Sequence, residues 1–402
     1  MKSFQITMAY IPNVEILQKS KNFNEIENNI ILKNKLNKIK SQLDEFYTSN
    51  NKYHAESIMK SFDPFKSKKN KISLKINTYN LTNAWLKGYE IIDFYKLIPI
   101  DYDNQTPFVY FDNASFPGSF IIAVNHYVKT QTHIKDFKWH GASLINEKNL
   151  GDDFHLRKNY PKNWLMNECN NGDITNMANI INFQKQLSTP DDKRTVNLYS
   201  CDLGLDWGVD YNNQESIHFE ANICQILCGL LTLKNNGSMF IKHFTLFEPF
   251  TLSYVSLLTV LFEEVYISKP LTSKRTNSEL YIVCKYYKYP FDENSIEQAI
   301  INLFIQQVNN KTKNFNIITL VPFEYISGQI SEIVFACECI YNTQIRELKK
   351  YIYFVNNIKK PLINERCYQS LLIDNKKIVN DFKKINIKPI SILQNLCMFQ
   401  LY

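Results

Sequence analysis

The sequence contains no apolar run long enough to cross a membrane. Its longest candidate, residues 250–262, includes serine and threonine and falls short of the ~20 apolar residues that a membrane-spanning helix needs. Residues 1–5 also lack the charged-then-apolar pattern of a secretion signal. Both absences predict a soluble intracellular protein without membrane contact, and the expected location is the cytoplasm.

Metal-ligand clusters and disulfide frameworks are missing as well. The chain has nine cysteines, an odd number, scattered over its carboxy-terminal two thirds. Cys224 and Cys228 lie one helical turn apart, and Cys337 and Cys339 flank one residue, but neither pair has a matching second pair of cysteines or histidines. The pattern therefore predicts buried free thiols in a reducing compartment, and no metal site.

Charge gives only a weak indication of the partner. The 46 lysines and arginines exceed the 39 aspartates and glutamates, so the formal net charge is +7. This surplus suits contact with a polyanion such as RNA but does not require one. With 402 residues, of which 45% are hydrophobic, the chain is long enough for one large packed domain with extensions.

Strand and helix patterns alternate through the middle of the chain. This alternation predicts an α/β fold with a mostly parallel, Rossmann-like sheet and helices on both faces. Residues 1–75 are expected to form a partly helical extension, 76–290 the main domain, and 291–402 a helical extension. The predicted strands are 71–76, 109–112, 137–144, 195–202, 238–244, 265–267 and 280–284, and the predicted helices include 84–92, 177–187, 214–233 and 250–262.

The carboxy-terminal extension has two helical patterns, at 296–308 and 330–354, with apolar residues on one face of each. Such stripes are more typical of a packed core than of a cofactor site. They predict helices that pack on the main domain or on a protein partner.

Polar side chains follow several of the predicted strands. Asp112, Asp202 and Lys242 each stand at or near a strand end, and ligands of open α/β sheets bind at the carboxyl ends of the strands. After Asp112 the chain turns at Pro117 and Gly118 into a new helix, which is the first unit of a nucleotide-type pocket. By itself this strand-turn-helix pattern would suit any nucleotide binder.

Four further motifs carry a resemblance to a known family. They share charged residues in a fixed order, and the last combines a Lys-Pro, a Ser/Arg-rich loop and a Ser-Glu-x-Tyr-Ile-Val strand. The motifs are Thr-Asn-Ala-Trp-Leu-Lys at 82–87, Tyr-Ser-Cys-Asp at 199–202, Gly-Ser-Met-Phe-Ile-Lys at 237–242 and the segment 269–283.

With these motifs the chain resembles the FtsJ/RrmJ-type ribose 2′-O-methyltransferases, and within them the Adrift-type cap methyltransferases. It is most similar to the versions of large cytoplasmic DNA viruses of the African swine fever virus kind, which implies a host cytoplasm or a virion as its location. The resemblance covers residues 80–287 and implies a catalytic tetrad of Lys87, Asp202, Lys242 and Glu279.

The resemblance implies S-adenosylmethionine (SAM) as the methyl donor. The turn that contains Asp112, Pro117, Gly118, Ser119 and Phe120 is then its binding turn, with Asp112 and Pro117-Gly118 beside the methionine end and the sulfonium. Two glycines of the family turn are replaced here, by Ala114 and Ser119, and each replacement adds a Cβ where the backbone approaches the ligand. Asp173 matches the carboxylate that faces the adenine amino group; alternatively, it caps the helix that begins at Met177.

The reaction implied is methyl transfer to a ribose 2′-hydroxyl, which needs a base within hydrogen-bond reach. Lys242 is the candidate base. A free lysine has a pKa of about 10.4 and is charged at neutral pH. It therefore cannot accept a proton unless its surroundings lower this pKa. Burial and Lys87 would lower the pKa, Asp202 and Glu279 would raise it, and the four groups are expected to titrate as a coupled set.

The implied partner is RNA, most simply the capped 5′ end of an mRNA, although the motifs leave ribosomal RNA open. Lys274 and Arg275 are candidate phosphate contacts, and the lysines between 66 and 71 are either phosphate contacts or a solvated linker. Trp139 and Trp164 could stack on a base or simply pack. A methyltransferase fold that binds RNA or serves as a scaffold without catalysis is the alternative function.

Overall fold

The computed structural model describes residues 1–18, 27–48, 52–145, 151–204, 212–290, 292–310 and 319–397. Its central feature is one sheet of seven strands in the order β1-β6-β7-β5-β4-β2-β3. The strands are β1 (Lys2–Ile6), β2 (Phe108–Asn113), β3 (Phe137–Ala142), β4 (Val196–Cys201), β5 (Leu233–His243), β6 (Phe262–Lys269) and β7 (Leu280–Tyr287).

Helices connect and flank these strands. Short 3-10 helices lie at Val14–Gln18, Pro161–Asn163, Phe323–Tyr325 and Ile392–Gln394. The α-helices of the described residues are α1 (Glu27–Ser41), α2 (Asp44–Thr48), α3 (Lys52–Ser61), α4 (Lys69–Ile76), α5 (Asn83–Tyr95), α6 (Ser119–Gln131), α7 (Leu156–Asn159), α8 (Met177–Leu187), α9 (Gln214–Ile217), α10 (Phe219–Thr232), α11 (Pro249–Leu261), α12 (Ile296–Asn310), α13 (Ser327–Asn356) and α14 (Pro361–Phe382).

Helices cover both faces of the sheet, which confirms the predicted α/β class. Successive side chains of a strand point to opposite faces. Met239 of β5 lies against Gly229 of α10, whereas the next residue, Phe240, packs on Phe120 of α6 with ring centroids 5.3 Å apart. Lys242 shares the face of Phe240, and this places its side chain on the side of the sheet that α6 covers.

The sheet is parallel over only part of its width. Strands β3, β2, β4 and β5 run parallel, whereas β7, β6 and β1 pair antiparallel beyond them. Because β7 runs opposite to β5, its first residues lie at the same edge as the carboxyl ends of the parallel strands. That edge therefore collects residues from the end of β4, the end of β5 and the start of β7.

Two predictions for the amino-terminal region are wrong or incomplete. Residues 71–76 were expected as a strand but belong to α4, because Ile72 and Ile76 are one helical turn apart and Ile76 faces the core. Leu74, which a half-buried strand would turn inward, is 80% exposed. Residues 2–6 form β1, an edge strand that pairs with β6, within a region expected to be only partly helical.

The carboxy-terminal helices pack on the domain. Ile333, Cys337 and Ile340 of α13 are buried in the same core as the sheet, and the Tyr341 hydroxyl donates to the Phe244 carbonyl at 3.0 Å. The apolar stripe of α13 is thus a core stripe, as expected. All nine cysteines are free thiols.

Within the ranges that the structure describes, no helix is long and apolar enough to span a bilayer. Nor do those residues bring three His, Cys, Asp or Glu side chains together as a metal site.

Candidate active site at the carboxyl edge of the sheet

Four charged side chains meet where β4, β5 and β7 share an edge. Asp202 follows β4, Lys242 is the penultimate residue of β5, and Glu279 immediately precedes β7. Lys242 lies opposite Tyr281 in the antiparallel β5-β7 register. Lys87 reaches the same place from α5, on the face that α6 also covers. The structure therefore brings together the four residues of the predicted tetrad.

Lys87 and Glu279 form a buried ion pair. The ammonium lies 3.1 Å from Glu279 Oε2, and the two side chains are 9% and 10% exposed. Helix α5 is fixed at its start because Thr82 caps it, accepting a hydrogen bond from the Trp85 N–H at 3.0 Å. Burial opposes the charged form of Lys87, but the charges of Glu279 and Asp202 outweigh it and raise its pKa.

Lys242 and Asp202 form the second pair. The Lys242 ammonium donates to the Asp202 carbonyl at 2.8 Å and lies 3.3 Å from the carboxylate Oδ1. The Tyr281 hydroxyl donates to the same Oδ1 at 2.8 Å and so holds the carboxylate in place. Gly204 leaves room beside the ammonium, because a Cβ there would lie 3.1 Å from Lys242 Nζ.

A half-buried lysine behind the tetrad, Lys269, was not predicted. Lys269 donates to the Asn277 carbonyl at 2.9 Å, to the Asn277 side-chain oxygen at 2.7 Å and to the Glu279 carbonyl. Burial lowers the pKa of Lys269 to about 7; Glu279 opposes this shift and Lys87 adds to it. Lys269 thus fixes the backbone that presents Glu279. The Lys-Pro of the 269–283 motif was the only sequence signal for it.

The 270–276 loop is anchored to α5 by a second unpredicted residue. The buried carboxylate of Glu90 accepts from the Leu271 N–H at 2.7 Å, and from the Thr272 N–H at 3.0 Å and hydroxyl at 2.7 Å. Ser273 of the same loop donates to Glu279 Oε1. Burial alone would raise the pKa of Glu279. The positive charges of Lys87, Lys269 and Lys242 outweigh burial and hold this pKa well below its usual range.

The predicted donor turn is ordered by Asp112. Both of its carboxylate oxygens accept short hydrogen bonds, from Ser115 and from Ser200, at 2.6 Å each. Burial raises the pKa of Asp112 to about 7 against the effect of these hydroxyls. In this structure Asp112 holds the turn in shape. A contact between Asp112 and the methyl donor would be additional to these two hydrogen bonds.

The glycine replacements in this turn are accommodated differently. Ala114 adopts a left-handed backbone with φ 51°, the conformation that the missing glycine would favour. Ser119 is the first residue of α6, and its hydroxyl accepts from Thr82 at 2.9 Å, linking the turn to α5. Gly118 has φ 103°, and a Cβ there would meet Leu156 at 2.4 Å. Phe120 follows Ser119 into α6, with its ring on Phe240.

Asp173 is not the cap of α8. Asn176 fills that position, accepting from the Ala178 N–H at 3.0 Å. Asp173 uses only Oδ1, which accepts from the Thr175 N–H at 2.9 Å and hydroxyl at 2.8 Å. Its Oδ2 accepts no hydrogen bond from the described residues and remains available as an acceptor.

These residues suit SAM in their chemistry. SAM presents an ammonium, ribose hydroxyls and an adenine amino group, all of which donate hydrogen bonds, so acceptor oxygens are the appropriate partners. Asp173 offers one such oxygen. The two strand-end loops that border the site contain Gly118 and Gly172 with positive φ, and a Cβ on Gly172 would lie 2.0 Å from the Ser143 carbonyl oxygen. The backbone geometry of both loops thus depends on glycine.

The other residues predicted to contact RNA, apart from the lysines between 66 and 71, are partly or largely buried. Arg275 lies 3.7 Å from the buried Glu347 of α13, so part of its charge is compensated by the protein. Lys274, beside it, is half-buried. Trp139 and Trp164 are both 5% exposed and pack edge to face on each other, which shows that they are packing residues in this conformation.

The chain is similar to a known protein family and to individual known proteins. The model of the family described as FtsJ-like methyltransferase matches residues 81–287, a range that contains all four tetrad residues. A protein named "Probable methyltransferase EP424R" from African swine fever virus (isolate Pig/Kenya/KEN-50/1950) is 33% identical over 363 residues, covering 86% of this chain and 80% of its own length.

Two further relatives extend the comparison. "Cap-specific mRNA (nucleoside-2'-O-)-methyltransferase 2" of Pongo abelii is 30% identical over 267 residues, which is 64% of this chain but only 33% of that protein. "Uncharacterized protein L511" of Acanthamoeba polyphaga mimivirus is 29% identical over 346 residues, covering 82% of this chain and 41% of its own length.

Proposed function

Because the chain belongs to the FtsJ-like methyltransferase family, we propose that it transfers a methyl group from SAM to a ribose 2′-hydroxyl at the capped end of an mRNA, the cap-1 type of methylation. The observation that carries this proposal is the convergence of Lys87, Asp202, Lys242 and Glu279 at one edge of the sheet. Two ion pairs, of 3.1 Å and 3.3 Å, join them.

SAM supplies an electrophilic methyl group on a sulfonium. The residues that would hold it are the backbone of the turn from Asp112 through Pro117, Gly118 and Ser119 to Phe120, together with Asp173. The residues of the turn are positioned by Asp112 within it and by the contact of Ser119 with Thr82. Holding both reactants in register could account for ~7–11 kcal/mol of the barrier, the range that effective molarities reach.

Lys242 is the base in this proposal. Its ammonium must lose a proton before it can accept one from the ribose hydroxyl, and the proton then resides on Nζ. The carboxylate and the carbonyl of Asp202 fix the position of that nitrogen, and Gly204 places no side chain against it. Lys87 is neutralised by Glu279, and this pair supports the site without serving as the base.

The choice of a capped mRNA as substrate depends on similarity. The relative from Pongo abelii is named as a cap-specific mRNA methyltransferase, and the stretch aligned with it corresponds to 64% of this chain. Ribosomal RNA, the other substrate class within the FtsJ type, is the alternative that an activity assay must exclude.

A direct assay uses RNA that carries a cap without 2′-O-methylation, and SAM labelled on the methyl group. We expect label on the 2′-oxygen of the first transcribed nucleotide, located by nuclease digestion. The matched control is the same RNA with a 2′-deoxy sugar at that nucleotide, which removes only the acceptor oxygen. Equal labelling of the deoxy substrate, or of uncapped ribosomal RNA in preference to capped RNA, would refute the proposed substrate.

Tyr281→Phe tests the support of Asp202. Burial raises the pKa of Tyr281 well above its ordinary value, so the hydroxyl stays protonated and donates to Asp202 at every working pH. Loss of one such hydrogen bond to a charged group is expected to lower kcat about tenfold without changing SAM binding. Tyr287→Phe is the control, because Tyr287 lies on the same strand as Tyr281 but away from the tetrad. Its hydroxyl accepts a hydrogen bond from Arg194 at 2.9 Å. Equal rates for the two variants would show that Tyr281 has no such role.

A further inference from the structure

A groove rich in lysine lies between the amino-terminal and carboxy-terminal extensions. One wall is the connection from α3 to α4, and the other is one face of α14. The groove encloses about 660 Å³. Five exposed lysines line it: Lys60, Lys66, Lys68, Lys376 and Lys383.

A second depression of about 320 Å³ continues the first. Lys68, Val379 and Lys383 line both, and the second adds Lys71 and Lys75 of α4. Together they form one strip, which we call the basic groove. Three of the four lysines between 66 and 71 line it, and Lys66 and Lys68 lie in the exposed, hydrogen-bonded turn between α3 and α4.

One face of α14 forms the second wall of the basic groove. Its lining residues recur at intervals of three or four, as the 3.6-residue period of a helix requires. From the first to the last of them the helix rises by about 22 Å at 1.5 Å per residue, long enough for several consecutive phosphates of a nucleic acid strand. The lining residues of α14 and the residue after it are Tyr368, Leu371, Leu372, Asn375, Lys376, Val379, Asn380 and Lys383.

The described part of the chain does not neutralise the charge of the basic groove. None of its seven lysines lies within ion-pair distance of a carboxylate among the residues that the structure describes. Among the described residues of the lining Asp63 is the one acidic residue, and it is engaged by Lys69 at 3.7 Å and by Asn83 at 2.9 Å. The net charge of the lining is therefore strongly positive, and it suits a polyanion.

Apolar side chains lie between the lysines. Tyr368 and Leu372 are each 44% exposed, and the buried Leu371 and Val379 lie beneath them. An exposed aromatic ring within a cationic track is the combination that binds unpaired bases by stacking and the backbone by charge. A duplex would hide its bases from Tyr368, so these contacts favour a single strand.

The basic groove is connected to the candidate active site. Asp63, in its lining, bonds the side chain of Asn83, the first residue of α5, and Lys87 follows one helical turn later. Met59, the residue before Lys60, accepts a hydrogen bond at its sulfur from the hydroxyl of Thr276 in the 270–276 loop, at 3.4 Å. The lining thus contacts α5, which carries Lys87, and a neighbour of the lining contacts the loop before Glu279.

We infer that the basic groove binds the single-stranded stretch of the RNA substrate that lies beyond the methylated nucleotide. Its lysines contact successive phosphates, and Tyr368 stacks on a base. This inference relies on the proposed function only in taking RNA as the substrate, since the groove itself is defined by its own geometry and charge.

The test compares two triple variants with equal loss of charge. Lys68→Gln/Lys376→Gln/Lys383→Gln changes the basic groove, whereas Lys349→Gln/Lys359→Gln/Lys377→Gln changes exposed lysines outside it. A fluorescent single-stranded RNA is titrated at several salt concentrations. Each lost phosphate contact lowers the salt slope by about 0.7, so we expect a drop of about 2 and a 10- to 100-fold weaker affinity for the groove variant only.

Tyr368→Ala separates stacking from charge. We expect about fivefold weaker RNA binding or more, with an unchanged salt slope, because a base contact is lost but no phosphate contact is. Equal RNA affinity and equal salt slopes for the two triple variants would overturn the inference. So would duplex RNA that binds the groove as tightly as the single strand and loses no affinity in Tyr368→Ala.

Methyl transfer gives an independent readout. On a long capped RNA the groove variant should show a KM raised about tenfold or more with kcat unchanged, while a capped dinucleotide should be used equally by the wild type and both variants. If no RNA is methylated even by the wild type, the proposed function fails, but the binding comparison still decides on the groove. Methylation of long RNA by the groove variant with wild-type KM would overturn the groove and leave the proposed function standing.

Discussion

Lys242→Ala is expected to abolish methyl transfer, lowering kcat by at least ~10³-fold, within the range found when a general base is removed. Affinity for SAM should stay close to that of the wild type, because Lys242 contacts Asp202 and borders Gly204 and not the Pro117-Gly118 turn. The measurements are single-turnover methyl transfer to capped RNA and equilibrium binding of SAM by calorimetry.

Lys242→Arg separates the charge of Lys242 from its chemistry. Arginine keeps a cation beside Asp202, but its pKa above about 12 prevents it from accepting a proton at working pH. If Lys242 is the base, Lys242→Arg should be as inactive as Lys242→Ala. If the residue only supplies a positive charge, Lys242→Arg should recover most of the rate.

A control of similar burial is available on the neighbouring strand. Lys285 pairs with Glu264 at 2.9 Å and its side chain is 13% exposed, against 10% for Lys242. Lys285→Ala therefore removes a comparable ion pair from the same sheet while leaving the tetrad intact. A wild-type rate in Lys242→Ala, or an equal loss in Lys285→Ala, would show that Lys242 is not the base.

Elements with strong periodicity could be predicted from the sequence. Helix α8 spans Met177 to Leu187 as expected, since its apolar face is regular and Asn176 supplies a cap. Strands β4, β5 and β7 were placed within a few residues, although β5 begins earlier, at Leu233. In these segments local preference and burial agree, and therefore the pattern in the sequence predicts the element.

Short segments that depend on distant partners could not be predicted in the same way. Strand β1 has five residues, and its conformation is set by pairing with β6, more than 250 positions away in the chain. In α4 the alternation of polar and apolar residues fits a strand, yet the Ile72 and Ile76 spacing that fits a helix decides the outcome. Periodicity over so few residues does not discriminate between the two.

The same distinction applies to the candidate site. Lys87, Asp202, Lys242 and Glu279 were named because motifs fixed their order, and the structure brings them to one edge. Lys269 and Glu90 were missed, because their roles depend on the 270–276 loop folding back on α5. Their partners are backbone groups, and no sequence motif shows which buried side chain will bond which backbone group.

Glu279→Gln is expected to have the largest effect on stability. Glu279 opposes the charges of Lys87, Lys269 and Lys242, and its pKa lies well below the usual range for that reason. Breaking a buried pair by removing one partner typically costs ~3–5 kcal/mol, because an unpaired charge stays buried. We expect an unfolding free energy lower by about that amount, measured by urea denaturation at neutral pH, together with loss of methyl transfer.

Glu264→Gln provides the matched control. Glu264 pairs with Lys285 at 2.9 Å on the same sheet, but its side chain is 29% exposed, so its loss should cost less than about 1 kcal/mol. The pH dependence gives a further test. A depressed carboxyl pKa stabilises the fold above its unfolded value of about 4.3, so the difference between Glu279→Gln and wild type should persist from neutral pH to that value and shrink below it.

The double variant Lys87→Met/Glu279→Gln distinguishes an unpaired charge from a simple loss of packing. If the buried Lys87 ammonium causes the instability, replacing it with methionine should restore most of the unfolding free energy, because similar volume is kept and no unpaired ammonium remains at that position. Activity should not return, since both members of the pair are then absent from the tetrad. Restored activity would remove Lys87 and Glu279 from the catalytic machinery, and failure to restore stability would mean that Glu279 acts mainly through Ser273 and Lys269.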